Sequence, residues 1–284
     1  MIKFILVSCL SLFILITNAN ALPLPTGTIG LQSLPGDFTE NYDFAGIVGL
    51  SNCSGSLVKF EGAADTSHAL VLTNGHCIGE MSFLAPGEFV LHRLASRAFR
   101  LLSVGGSELG RLTSTEIVYA TMTDTDIAVY KLVETYSEIK AKFGISPLIM
   151  SSAHPQIGQS MQVISGFWRR GYECHIEHFV HELREAEWTF VDSIRYTRPG
   201  CEVVGGTSGS PIVASGTRVV IGINNTGNES GGRCTMNNPC EVDEKGDITF
   251  QKGFSYGQET YLIYSCLNSN NEIDVNVLGC QLPH

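Results

Sequence analysis

Gly205-Gly206-Thr207-Ser208-Gly209-Ser210-Pro211-Ile212-Val213 sets a serine in a glycine-rich turn that runs straight into an apolar strand. Two earlier stretches share this design. Leu72-Thr73-Asn74-Gly75-His76-Cys77 ends an apolar run on a histidine and a cysteine, and Asp124-Thr125-Asp126-Ile127-Ala128-Val129-Tyr130 leads an acid into a buried strand. A serine hydroxyl is a weak nucleophile until an imidazole takes its proton. The imidazole does so best when a buried carboxylate fixes its tautomer and balances the imidazolium that forms. The glycines let the chain turn so that the N–H groups of Gly206 and Ser208 point at one spot and stabilise an oxyanion, where losing one donor costs roughly 3 kcal/mol. Each stretch alone has an ordinary explanation: a packed or surface histidine, a turn aspartate, a Gly-Ser loop. Together they point to acyl transfer, with Ser208 as nucleophile, His76 as base and Asp126 as the orienting acid. Asp124 is the competing acid, and Asp126 is preferred because it abuts Ile127-Ala128-Val129.

Short β-branched or alternating runs surround these stretches, separated by Gly, Asn, Ser and Asp, as in a barrel or sandwich. In the first half they are Ala45–Leu50, Ser56–Phe60, His68–Leu72, Glu88–Leu94, Ala98–Val104, Glu116–Met122 and Ile127–Leu132. Val133–Phe143 reads as a helix stopped by Gly144, and Ile145–Gly158, with two prolines, reads as a connection between halves. Strands resume at Gln162–Phe167, Cys174–His181, Glu187–Tyr196, Pro211–Ala214 and Val219–Asn224, the last two joined by a hairpin turn at Ser215-Gly216. Glu259–Leu267 reads as either a final strand or a short C-terminal helix.

The chain has 284 residues, 43% hydrophobic and 16% charged, with a net charge of −10. A disordered chain would be more charged, and a nucleic-acid binder would show a basic face; no basic run offsets the acidity. Lys3, the apolar run Phe4–Ile16 and Ala19-Asn20-Ala21 form a signal-peptide pattern, so residues 1–21 are expected to be cleaved and the chain secreted, extracellular or periplasmic. Residues 22–42 read as an extended lead-in or short pro-segment. No later apolar run is long enough to span a bilayer, so no membrane contact is expected after signal cleavage. Cys9 leaves with the signal, and an even set remains: Cys53, Cys77, Cys174, Cys201, Cys234, Cys240, Cys266 and Cys280. In an exported chain without a Cys-x-x-Cys pair, disulfides are favoured over metal sites.

The three stretches resemble the histidine, aspartate and serine motifs of the secreted chymotrypsin and trypsin-like serine proteases: His76-Cys77, Asp126-Ile127-Ala128 and, in its bacterial-type form, Thr207-Ser208-Gly209-Ser210-Pro211. The resemblance covers about residues 43–270. It implies an all-β fold of two six-stranded antiparallel barrels, about 43–145 and 156–284, with the active site in the cleft between them. It also implies a Cys53–Cys77 bridge and a monomer acting on protein or peptide substrates without a cofactor or metal. Asn224, Asn225, Thr226 and Gly227 would flank the substrate as an extended edge. Catalytically inactive binding proteins on the same scaffold form the alternative class. An α/β-hydrolase is excluded because residue 210 is serine and the only histidine after Ser208 is His284.

The chain also departs from the family's pattern. Where animal zymogens carry an aspartate before the nucleophile, Thr207 stands, and the only Ile-Val-Gly, Ile47–Gly49, lies inside an expected strand. The N-terminal ammonium switch therefore has no carboxylate to pair with. The pocket-floor position falls on Glu202, which would favour Lys or Arg before the scissile bond; Glu202 reads equally as an exposed loop acid. Local pairing gives Cys174–Cys201, Cys234–Cys240 and Cys266–Cys280, whereas Cys201–Cys234 would resemble the family's bridge beside the pocket. His175, His178 and His181 point to opposite faces of a strand, and Asp243–Asp247 lacks EF-hand spacing, so neither is read as a metal site.

Overall fold

Alternation along the strands decides where each side chain goes. In the computed structural model, which describes residues 42–79 and 83–284, the segment Ile127-Ala128-Val129-Tyr130 is buried throughout because its two faces meet different cores. Ala128 and Tyr130 point into a cluster with Leu57, Val71, Phe99 and Leu112, while Ile127 and Val129 join Val58, Leu72, Val213 and Ile223 in another. A two-residue period with both faces apolar is what a strand between two cores requires.

The first core is enclosed by β1 (Ile47–Gly49), β2 (Ser54–Lys59), β3 (His68–Thr73), β4 (Phe89–Leu94), β5 (Ala98–Leu102), β6 (Glu108–Thr121) and β7 (Ile127–Thr135). The pairings β1-β5-β6-β7-β3-β2 return to β1, closing a six-stranded antiparallel barrel. β4 pairs with the second half of β6, with Phe89 opposite Thr121. Helix α1 (Tyr136–Phe143) begins three residues later than the sequence reading because β7 runs on to Thr135. There the Thr135 side chain accepts the Glu138 N–H while Glu138 accepts the Thr135 N–H, a reciprocal cap, and Gly144 ends the helix at φ 72°.

The connection expected at 145–158 contains a short strand, β8 (Leu148–Met150), that runs parallel to β2 on one side. Its other side pairs with a strand of the second half, which comprises β9 (Ser160–Ser165), β10 (Arg170–Glu185), β11 (Trp188–Tyr196), β12 (Pro211–Ala214), β13 (Val219–Gly227), β14 (Cys240–Val242), β15 (Ile248–Thr249) and β16 (Ser255–Glu259). Val219 of β13 faces Ile149 of β8, so the two halves share one continuous sheet. The pairings β9-β10-β11-β16-β13-β12 return to β9 and close a second antiparallel ring around Val163, Tyr172, Ile194, Tyr196 and Ile212. β14 and β15 extend the outer part of β10.

After β16 the chain forms a 3-10 helix at Tyr261–Cys266, so the segment with two readings holds the end of a strand followed by a short helical turn. The disulfides are Cys53–Cys77, Cys174–Cys201, Cys234–Cys240 and Cys266–Cys280, the local pairings; Cys201 is not joined to Cys234. The expected signal at 1–21, with Cys9, and lead-in residues 22–41 lie outside the described residues.

Candidate active site

His76 sits in a single 3-10 turn, Gly75–Cys77, between the end of β3 and the Cys53–Cys77 disulfide. Gly75 is required there: a Cβ would lie 2.0 Å from the Thr121 carbonyl oxygen. The turn aims both the backbone and the ring of His76 at Asp126. The His76 N–H donates to Asp126 Oδ1 at 3.0 Å, and Nδ1–H donates to Oδ2 at 2.6 Å. Asp126 is 1% exposed, and its carbonyl accepts the Asn74 side-chain N–H at 2.7 Å. Asp124 is exposed and bridges to Phe190, so Asp126 is the acid that meets the imidazole. Burial would lower the His76 pKa. The charge and hydrogen bond of Asp126, with the charge of Glu185, outweigh it and hold the ring above its ordinary value.

Ser208 lines the same cleft as His76 and Asp126. Its turn is fixed by Ser54 N–H to Ser208 O at 2.8 Å, Gly209 N–H to Asn224 O at 3.0 Å and Asn224 N–H to Ser210 O at 2.8 Å. Gly209 has φ 79°, and a Cβ there would meet the Ser54 carbonyl oxygen at 2.2 Å. Gly206 has φ 86°, and among the described residues neither its N–H nor that of Ser208 has an acceptor. The turn is braced from behind. Trp168 Nε1–H donates to Gly205 O at 2.7 Å, and Ser54 Oγ donates to Gly206 O at 3.2 Å while accepting Phe167 N–H at 3.1 Å. Thr207 is fully buried, and Ile47–Gly49 is barrel strand β1. Ser208 Oγ donates to the Asn225 carbonyl at 3.2 Å; among the described residues no hydrogen bond joins it to the imidazole.

Asn224, Asn225, Thr226 and Gly227 all line the cleft. Asn224 turns its side chain away, accepting the Tyr196 hydroxyl at 3.0 Å. β12 pairs with β13 only as far as Ile223, which leaves the cleft-side edge of residues 225–227 without a strand neighbour among the described residues. Glu202 is outside the cleft lining: its carboxylate is half exposed, accepts the Gly200 N–H at 3.1 Å and faces Arg198 at 3.9 Å. Of its two readings, the geometry matches the loop acid. The next residues, Val203, Val204 and Gly205, do line the cleft.

Two other acids line it, Glu229 and Glu185. Glu185 is 7% exposed and accepts the Asn237 N–H at 2.6 Å, and burial raises its pKa. Its sequence context, Arg184-Glu185-Ala186-Glu187, is that of any charged hairpin tip. What brings it inward is the length of the β10–β11 hairpin, which reaches the first barrel: Trp188 Nε1–H donates to Leu84 O at 2.8 Å, and Val191 N–H donates to Asp124 O at 2.8 Å. Phe83 lies edge-on between Trp188 and His76, at 5.6 and 6.2 Å between ring centres. His175, His178 and His181 do not converge; His178 faces Glu241 at 3.3 Å. Asp243 accepts the N–H groups of Lys245 and Asp247 in the β14–β15 turn.

Residues 53–223, more than half of the chain and including His76, Asp126 and Ser208, match the family described as trypsin-like peptidase domain. Similar solved structures include the MamO protease domain from Magnetospirillum magneticum, at 13% identity over 81% of this chain and 100% of that one, with a TM-score of 0.49. Anisep, a protease from Arthrobacter nicotinovorans, matches at 17% identity over 81% of this chain and 97% of that one, with a TM-score of 0.46. Cellulomonas bogoriensis chymotrypsin matches at 17% over 77% and 90%, with a TM-score of 0.40. No curated protein sequence matches the chain. The match across more than half its length makes this chain a member of the trypsin-like peptidase domain family.

Proposed function

We propose that the protein is a secreted serine endopeptidase in which Ser208 attacks the peptide carbonyl, His76 takes and then returns the proton, and Asp126 holds His76 in place. The observation that carries this reading is the double hydrogen bond from His76 to the buried Asp126, in one cleft with Ser208. The free N–H groups of Gly206 and Ser208 supply the oxyanion donors, and the open edge of Asn225–Gly227 aligns an extended peptide. Ser208 must turn from Asn225 toward His76 for the first step, a tightening that substrate binding commonly brings about. Four disulfides and the signal pattern of residues 1–21 support export.

The substrate side chain before the scissile bond is proposed to be Lys or Arg. The support comes from Glu185 and Glu229: both line the cleft, and no Lys or Arg is among the described lining residues. Glu185 is buried and Glu229 is exposed, and a carboxylate as shielded as Glu185 attracts a cation more strongly than one in water.

A fluorophosphonate probe tests the nucleophile. The folded wild type is expected to label at Ser208 and Ser208→Ala is expected not to. The hydrogen bond from Ser208 to Asn225 favours one other reading, a non-catalytic binding protein on the same scaffold. A folded wild type that fails to label and cleaves no peptide in a mixed library would select that reading.

A further inference from the structure

Outside the cleft, three side chains from separate elements converge on one point. They are His154 in the β8–β9 connection, Asp192 in β11 and Glu259 at the end of β16, and their ligand atoms all lie within 4.8 Å of one another. His154 Nδ1 is 2.6 Å from the Pro155 carbonyl oxygen, which only accepts, so Nδ1 carries the hydrogen and Nε2 is turned toward the acids. Nε2 is 3.0 Å from Asp192 Oδ2 and 3.7 Å from Glu259 Oε1. Glu259 is 3% exposed, and its Oε1 has no hydrogen-bond partner. A buried carboxylate oxygen facing a second carboxylate and an imidazole nitrogen calls for a cation at their meeting point.

We propose that His154 Nε2, Asp192 and Glu259 bind a divalent transition-metal ion, zinc by its ligand preference. One imidazole and two carboxylates suit zinc, whereas calcium and magnesium take oxygen ligands. A tetrahedral zinc with bonds of about 2.0–2.1 Å needs ligand atoms roughly 3.4 Å apart; the 3.0 and 3.7 Å separations from His154 are near that value, and Asp192 and Glu259, within 4.8 Å of each other, would settle toward it on binding. The outer shell is in place: the Pro155 carbonyl fixes the His154 tautomer, and the rings of Phe179 and Tyr261 pack against the imidazole at 4.4 and 5.0 Å. His154 and Asp192 are partly exposed, which provides an entry path and room for water as the fourth ligand. The ion would tie the connection between the halves to two neighbouring strands of the second barrel, a structural role independent of peptidase activity.

Equilibrium dialysis of the chelator-stripped full chain against zinc chloride, with elemental analysis and a thermal melt, tests the site. The wild type is expected to retain one zinc per chain and to melt at a higher temperature as zinc rises. His154→Ala and Asp192→Asn, both at partly exposed positions, are each expected to fold, weaken zinc binding at least about tenfold and lose the thermal response. A folded wild type that retains no zinc, or variants that bind it undiminished, would overturn the proposal. So would zinc lost only in His76→Ala, which would place the ion in the cleft.

Discussion

Burial alone would make His76 easier to deprotonate, yet Asp126 and Glu185 keep its pKa above the ordinary 6.5. A general base works in its neutral form, so kcat/KM is expected to rise with pH along an acid limb whose midpoint lies above 6.5, read from a pH–rate profile. Asp126→Asn is expected to lower kcat by about 10⁴ and to move that limb down. The stability contribution has the opposite pH dependence. Because the folded state holds the proton more tightly, the stabilisation from this group is complete below 6.5 and lost as pH rises through the folded value. Glu185 acts on the same residue from across the cleft. Glu185→Gln is expected to shift the acid limb down and to reduce selectivity for Lys and Arg over neutral residues by about tenfold or more, while Glu202→Gln leaves a peptide-library profile unchanged. Equal profiles for wild type and Glu185→Gln would remove Glu185 from substrate recognition. That His76, Asp126 and Ser208 belong together in one cleft was legible in the sequence because each lies beside a strand with its own local signal. Glu185 was not, because its place is set by hairpin length and by contacts far along the chain.

The nucleophile turn and the β12–β13 hairpin offer a controlled comparison between elements. Gly209 and Gly216 both have positive φ, 79° and 72°, but a Cβ at Gly209 would strike the Ser54 carbonyl, while at Gly216 it would meet nothing within 4 Å. Gly216→Ala is therefore expected to cost about 1–2 kcal/mol of stability from backbone strain alone. Gly209→Ala should cost clearly more, as measured by urea denaturation, and should also reduce probe labelling of Ser208; equal costs would mean that the turn yields easily. The same contrast between local and distant causes explains which strands could be read. β12 ends where Ser215 and Gly216 turn the chain, and both limits follow from sequence. The outer half of β6, Glu108–Thr115, is largely polar and charged and becomes a strand through its partner β5. β8 is three residues long between prolines and carries no periodicity to detect.

At the scale of the molecule, the layer containing Val58, Leu72, Ile127 and Val129 from one ring also contains Ile164, Val213 and Ile223 from the other. Burial of each such side chain contributes about 1.5–3 kcal/mol, so neither ring can part from the other without exposing a large share of its apolar surface. Heat unfolding is expected to give one calorimetric transition with equal calorimetric and van't Hoff enthalpies, and two resolved transitions would show independent halves. β8 has a consequence of another kind. On the proposed peptidase reading, copies of the protein are also among its potential substrates, and its working lifetime depends on whichever segment is drawn most easily into a neighbour's cleft. A connection between two halves is the natural victim, but β8 is already paired along both edges, with β2 and with β13. It has no edge left to offer a neighbour, so self-digestion should begin elsewhere and leave the two halves in one piece.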